Sequence, residues 1–327
     1  MDEFDFINKI KPDRIFQQNV KVAIGDDAAV YESSQGCHQV VCVDTMVEGV
    51  HFLRNLSSPF EIGYKALAVN VSDLAAMSAK PLYYLISLAV PSNWHEKDLI
   101  EIYEGMKQIS SEYKMDLLGG DTVSTSDKLV ITVTVIGEVE KGRKTLRSNA
   151  KDEDIVFVTG TIGDSAAGLA ILLGQTSLHN VSLKKYFIEK HKMPVPQVKA
   201  GRLVGELNRA SLNDISDGLA SELNEISEAS QVGITLDEEA LPISDELLTL
   251  QSTYNIQGWV LFGGEDYELV GTTSPDSWEK LKNSCHELGI KITKIGIVDS
   301  SHKEILLKTM NQEYVKLEKS GYNHFKK

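Results

Sequence analysis

Cysteine is scarce in this chain: Cys37, Cys42 and Cys285 are the three in 327 residues. An odd number at these spacings supports neither a disulfide framework nor a cysteine metal motif, and it reads as buried thiols in a reducing cytosol. Basic residues are also in deficit, 33 Lys and Arg against 47 Asp and Glu, for a net charge of −14. An acidic field repels polyanions, so nucleic acid and anionic membrane surfaces are not expected partners. No stretch approaches the ~18 uncharged apolar residues of a membrane span. The most hydrophobic segment, 66–90, is interrupted by Asp73, Lys80 and Pro81. The acidic start Met1-Asp2-Glu3-Phe4-Asp5 lacks the basic and apolar regions of a signal peptide, which gives the expectation of a cytoplasmic protein. Fixed-period repeats, the His-Glu-x-x-His zinc pattern and calcium-loop spacing are absent as well, setting aside solenoids, zinc hydrolases and EF-hands.

What is present is an average globular composition, 42% hydrophobic and 24% charged, over a length suited to two domains. Short β-rich runs at Val22-Ala23-Ile24 and 39–43 each stop at acidic residues. Ser58-Pro59 opens a helix running to Met77, and 82–90 is strand-like. Leu99, Ile102, Tyr103, Met106 and Ile109 have helical spacing within 96–113, and 128–139 reads as a long strand. The polar, charged segment 143–154 is the candidate linker. Beyond it, 154–159 reads as a strand, 164–173 as a helix of small residues, and 197–208 and 218–229 as helices around an acidic turn. Strands follow at 233–236, 267–272 and 291–298, with a helix at 275–288. Elements of both kinds alternate in each half, which predicts an α/β (α+β) protein of two domains, residues 1–145 and 146–327.

The chemistry lies in the placement of carboxylates. Six acidic sites stand at expected strand ends or in tight turns beside Gly, Ser or Asn: Gly25-Asp26-Asp27, Val43-Asp44-Thr45, Ser72-Asp73, Gly119-Gly120-Asp121, Asp214-Ile215-Ser216-Asp217 and Gly263-Gly264-Glu265-Asp266. A solvated acidic face scatters Glu among Lys along helices, whereas here short Asp side chains sit next to residues that let backbone approach a ligand. One Gly-Asp pair is an ordinary turn. Six such sites suit Mg²⁺, which takes one or two carboxylates and completes its shell with water and substrate phosphate. Asn70 and Asp73, three apart, share a helix face. Asp73 falls in an apolar stretch, so it either needs a cation or hydrogen bonds, or caps a new helix starting at Leu74. Thr159-Gly160-Thr161-Ile162-Gly163-Asp164-Ser165 links a strand to a helix and could bind an anion on helix amides. It lacks the Gly-Lys-Ser/Thr of a Walker loop and the Gly-x-Gly-x-x-Gly spacing, and reads as a plain turn capped by Asp164. His51 alone reads as a core or surface histidine.

In order along the chain stand Gly25-Asp-Asp-Ala-Ala29, Val43-Asp-Thr-Met-Val-Glu-Gly-Val-His-Phe52, Lys65-Ala-Leu-Ala-Val-Asn-Val-Ser-Asp-Leu-Ala-Ala-Met77, Gly119-Gly-Asp-Thr122, Ile215-Ser-Asp-Gly218 and Gly263-Gly-Glu-Asp-Tyr267. This set resembles the thiamine-monophosphate kinase family, in the superfamily of aminoimidazole ribonucleotide synthetase and selenophosphate synthetase, over nearly the whole chain. The resemblance implies transfer of the ATP γ-phosphate to thiamine monophosphate, with several Mg²⁺ ions bridging the phosphates. It implies Asp27, Asp44, Asp73, Asp121, Asp214 and Asp217 as metal ligands. Tyr103, Gly120, Asp121, Arg147 and Ser216 would meet ATP, and His51, Glu265 and Tyr322 would hold thiamine phosphate. It further implies a homodimer in which the N-terminal sheets pair into a barrel, and a C-terminal α/β domain that completes an active-site cleft.

Elementary chemistry agrees with that implication. Two phosphorylated substrates repel each other, and phosphoryl transfer needs positioning and charge neutralisation rather than a covalent nucleophile. Few cations stand near the motifs, Arg147 excepted, so metals would carry the neutralisation. The chain departs from the family pattern at Cys42-Val43, where a Ser-Thr pair is usual, at Asn149-Ala-Lys-Asp-Glu-Asp154, and at Tyr322, often Trp. Selenophosphate synthetase would want a reactive Cys before Cys37, and none is there. Aminoimidazole ribonucleotide synthetase fits the His51 and Glu265 segments less well. A non-enzymatic cation- or nucleotide-binding regulator would not need the acceptor residues.

Overall fold

The structure, a computed structural model, describes residues 9–22 and 29–319. Asp27 and Tyr322 lie outside the described residues. The chain divides into two units, Met1–Leu74 with Ala79–Gly142, and Ala75–Ser78 with Arg143–Lys327.

In the first unit, β1 (Val20–Val22) and β2 (Val30–Tyr31) form a small antiparallel ladder. The main elements are β3 (Cys37–Val47), helix α1 (Pro59–Ala76), β4 (Lys80–Pro91), helix α2 (Glu96–Tyr113), β5 (Asp116–Thr125) and β6 (Val130–Glu140). The four long strands make a sheet of order β3-β6-β4-β5, antiparallel except for β4 and β5, which α2 connects in parallel. Helix α1 starts where Ser58 and Glu61 cap reciprocally: the Glu61 amide donates to Ser58 Oγ (3.2 Å) and the Ser58 amide to the Glu61 carboxylate (2.7 Å). Gly63 and Gly105 let α1 and α2 touch backbone to backbone; a Cβ on Gly63 would sit 1.9 Å from the Ile102 carbonyl oxygen. Ile131, Val133 and Val135 of β6 are buried, while the alternate residues Thr132, Thr134 and Ile136 are half-exposed. Val41 and Val43 on β3, in register with Ile136 and Thr134, are exposed on that second face.

The second unit contains β7 (Ile155–Thr159), α3 (Asp164–Leu172), α4 (Val181–Lys192), α5 (Val198–Val204), β8 (Ala210–Asp214), α6 (Leu219–Ser230) and β9 (Gly233–Asp237). It continues with α7 (Asp245–Leu248), α8 (Ile256–Phe262), β10 (Leu269–Thr273), α9 (Pro275–Glu287), β11 (Ile292–Asp299), β12 (Ile305–Lys308) and β13 (Tyr314–Lys316). Its seven strands run in the order β13-β12-β9-β11-β7-β10-β8, with β12 against β9 the one parallel pair. Both faces are covered, so β7 is buried throughout. Val156 and Val158 join the cluster of Leu223, Ile226 and Val260, and Phe157 stacks on Trp278 of α9.

Several expectations change. Strand β3 continues through Asp44 to Val47, and Gly119-Gly120-Asp121 lies inside a strand rather than in a turn. An edge strand accepts this glycine because the Ile86 carbonyl oxygen approaches to 1.9 Å of where a Gly120 Cβ would stand. The segment 143–154 is pinned along its length: Thr145 Oγ1 donates to the Ala76 carbonyl (2.8 Å), Asn149 to that of Ala210 (3.1 Å), and buried Asp154 takes both guanidinium nitrogens of Arg209. Of the cysteines, only Cys285 is buried; Cys37 and Cys42 are half-buried, and none of the three forms a disulfide among the described residues. Among the described residues no helix is long and apolar enough to cross a membrane.

Candidate active site

Helix α1 delivers Asp73 without interruption, so Asp73 is an interior helical residue and not the cap of a new helix. One turn earlier, Asn70 is fully buried. Its Nδ2 donates to the Ala66 carbonyl (2.9 Å) and its Oδ1 accepts the Asp44 amide (3.0 Å), tying β3 to α1. That tie brings the Asp44 and Asp73 carboxyls into a shared hydrogen bond. Burial raises the Asp44 pKa, opposed by this bond and by the nearby His51 ring. His51 Nδ1 accepts the Val47 amide (3.1 Å), which leaves a neutral ring's N–H on Nε2. Its loop is organised by Glu48, whose carboxylate accepts from the Trp94 indole (3.0 Å) and the Leu129 amide (3.1 Å).

Asp121 is exposed, and the registers align it with Ser87, Thr132 and Thr45; Asp44 belongs to the adjacent row with Val133, Ile86 and Gly120. Successive rows face opposite sides of a sheet, so β3 and β5 carry these two carboxylates on different faces. Tyr103, on α2, is buried against a cavity of about 190 Å³ lined also by Lys9, Arg14, Phe16, Lys107 and Asp116.

In the second unit two predicted motifs run side by side. The amide of Glu265 donates to the Ser216 carbonyl (2.8 Å) and that of Tyr267 to Ile215 (2.9 Å). Gly264 makes this possible, since a Cβ there would be 2.4 Å from the Ser216 oxygen. Beneath the turn lies Glu222, which the sequence did not single out. Its carboxylate accepts from the Asp217 amide (3.0 Å), Ser216 Oγ (3.4 Å) and Asn213 Nδ2. Burial first, and then Asp214, pushes the Glu222 carboxyl up to about 8. Arg147 is exposed and pairs with Glu225 at 3.0 Å.

The amides at the start of α3, expected to be able to hold an anion, are already taken by a carboxyl group from within the chain. Asp266 accepts from Gly163 (2.7 Å) and Ser165 (3.1 Å), while Asp164 takes the hydroxyls of Thr161, Tyr186 and Ser244. Gly163 is the N-cap and Asp164 the first helical residue. Among the described residues no three His, Cys, Asp or Glu side chains converge to hold a metal ion by themselves. The structure brings them together in pairs: Asp44 with Asp73, and Asp214 with Glu222, which also accepts the Asp217 backbone amide.

Residues 25–139 match the AIR synthase related protein N-terminal domain and residues 151–308 its C-terminal domain, which sets the class of the protein. The chain is 57% identical to the thiamine-monophosphate kinase of Bacillus subtilis (strain 168), with 100% of each chain covered. A crystal structure of thiamine-monophosphate kinase from Stenotrophomonas maltophilia K279a superposes with a TM-score of 0.86 at 29% identity, covering 96% of this chain and 98% of that one. AaThiL complexed with AMPPCP and TMP gives 0.78 at 33% identity, covering 93% and 92%. The chain belongs to the thiamine-monophosphate kinase family.

Proposed function

We propose that this chain transfers the γ-phosphate of ATP to the phosphate of thiamine monophosphate, yielding thiamine diphosphate and ADP. The observation that carries this reading is the 57% identity over the whole length of the Bacillus subtilis kinase. The relative that binds AMPPCP, an ATP analogue, together with TMP supports the same pair of ligands.

Mg²⁺ fits the residues present. The Asp44 and Asp73 carboxyls lie within hydrogen-bonding reach of each other, so in place of the proton that joins them two ionised carboxylates would need a cation. Asp27, Asp44, Asp73, Asp121, Asp214 and Asp217 would hold the ions. Bound Mg²⁺ supplies charge neutralisation at phosphate oxygens, with only one or two carboxylates needed per ion. The remaining work belongs to positioning. Tyr103, Gly120, Asp121, Arg147 and Ser216 would meet ATP; Arg147 would exchange Glu225 for a phosphate, where its planar fork allows two parallel bonds. His51, Glu265 and Tyr322 would hold the acceptor, Tyr322 by stacking. The acceptor phosphate oxygen is itself an anionic nucleophile, so it attacks the γ-phosphorus in line as the bond to ADP breaks, and no enzyme nucleophile is required.

The exposed Val41, Val43 and Val123, on the two edge strands of the four-stranded sheet, support a homodimer closed by pairing of N-terminal sheets. A coupled ADP-release assay tests the activity: turnover that depends on thiamine monophosphate is expected, and nucleotide binding without it would favour a regulator. Incubation with γ-labelled ATP in the absence of acceptor tests the route. Label retained on denatured protein and chased into thiamine diphosphate would replace direct transfer by a phosphoenzyme.

A further inference from the structure

The loop 263–267 is held from two sides. On one, Asp266 is fastened to the first-turn amides of α3. Its neighbours Glu265 and Tyr267 both take left-handed backbone, φ 65° and 52°, a conformation that side-chain-bearing residues keep only where their surroundings impose it. On the other side stands His191, the penultimate residue of α4, buried to 7% exposure. Its Nδ1 is 3.4 Å from a Glu265 carboxylate oxygen and 3.2 Å from Ser165 Oγ. Helix α4 reaches this position because Gly168 of α3 lacks a side chain: a Cβ there would be 2.1 Å from the Phe187 carbonyl oxygen and 3.0 Å from His191 Cβ. A carboxylate only accepts hydrogen bonds, so a bond between the two requires the proton on His191 Nδ1, with Ser165 Oγ then accepting as well.

We propose that His191 is a positioning residue for the phosphoryl acceptor, fixing the Glu265 carboxylate in the orientation that receives the cationic thiazolium–aminopyrimidine substrate. This rests on the reading of Glu265 as an acceptor-binding residue. A glutamate has three rotatable side-chain bonds, and ordering it before the substrate arrives removes that cost from binding. The consequence is selective: His191 sets the affinity for thiamine monophosphate and leaves that for ATP alone. Its burial and its distance in sequence from the candidate metal ligands Asp214 and Asp217 explain why the motif pattern does not mark it.

The test uses the full-length protein with separate Michaelis constants for the two substrates. His191→Phe keeps a ring and removes the donor; His191→Asn keeps a nitrogen near the place of Nδ1. With His191→Phe the KM for thiamine monophosphate is expected to rise about tenfold, the size of a lost hydrogen bond to a charged group, with the KM for ATP unchanged. His191→Asn should recover most of the loss. In a Glu265→Gln background, His191→Phe should add little further, because both changes remove the same interaction. A parallel rise in both Michaelis constants, multiplicative effects in the double variant, or equal impairment of the Phe and Asn variants would overturn the proposal. Should His191→Phe not fold, His191→Ala against His191→Asn makes the same comparison. Wild-type protein inert toward thiamine monophosphate overturns the functional reading and this inference with it; active wild type with any of the contrary outcomes overturns the inference alone.

Discussion

The carboxyls of Asp44 on β3 and Asp73 on α1 meet in one hydrogen bond, held there by the buried Asn70 that ties strand to helix. A pair so placed favours an intervening cation over two ionised groups. Asp44→Asn keeps the shape and removes the charge. Turnover at ordinary Mg²⁺ should fall on the order of a hundredfold, with the Mg²⁺ needed for half-maximal rate shifted upward. Circular dichroism should be unchanged. Near-normal turnover would remove Asp44 from the site.

Gly264 is where two motifs meet. Gly264→Ala places a Cβ against the Ser216 carbonyl oxygen at 2.4 Å and must push the two loops apart. A loss of about 1–3 kcal/mol in urea unfolding is expected, as for an overpacked contact, with activity lost as well. Gly258, in α8, has open space around its Cβ direction. Gly258→Ala should stabilise by roughly 0.5–1 kcal/mol. Equal behaviour of the two variants would contradict the loop contact.

Buried carboxyls give the second unit a pH signature. Burial pushes Asp266 up to about 8 and Glu268 up to about 7, against ordinary values near 4 in the unfolded chain. Between those values the folded state binds more protons than the unfolded, so stability falls as pH rises. The stability is fully present below the unfolded pKa and is lost as pH passes through 7 to 8. The urea midpoint should therefore drop from pH 6 to pH 8.5, and less so in Glu268→Gln. A midpoint that rises over that interval contradicts the assignment.

Val41 and Val43 leave β3 on the sheet face that does not carry the buried β6 row, at 66% and 57% exposure. Light scattering at micromolar concentration should give twice the 36.1 kDa of one chain. Val43→Lys, which puts a charge on that face, should lower the measured mass. A clean monomer in the unaltered protein would reject the dimer.

Some of this molecule was legible in residue order alone. Helix α2 runs from Glu96 to Tyr113 as its apolar spacing requires, because a single amphipathic face carries the signal. The composition excluded a disulfide scaffold, and the ordered set of acid-rich motifs identified the family, since each motif is a local string. Strand β5 was not legible: Gly119-Gly120-Asp121 has the chemistry of a turn, and only pairing with β4 draws it out straight. Tertiary structure alone decided which partners the carboxylates take. Asp266 takes the first-turn amides of α3 from more than a hundred positions away in sequence, Glu222 buries itself beneath Asp217, and His191 arrives on a separate helix to meet Glu265. Propensity and periodicity act over a few residues, whereas a hydrogen bond to a buried carboxylate depends on which backbone is brought within about 3 Å of it, and that is settled by the packing of the whole unit.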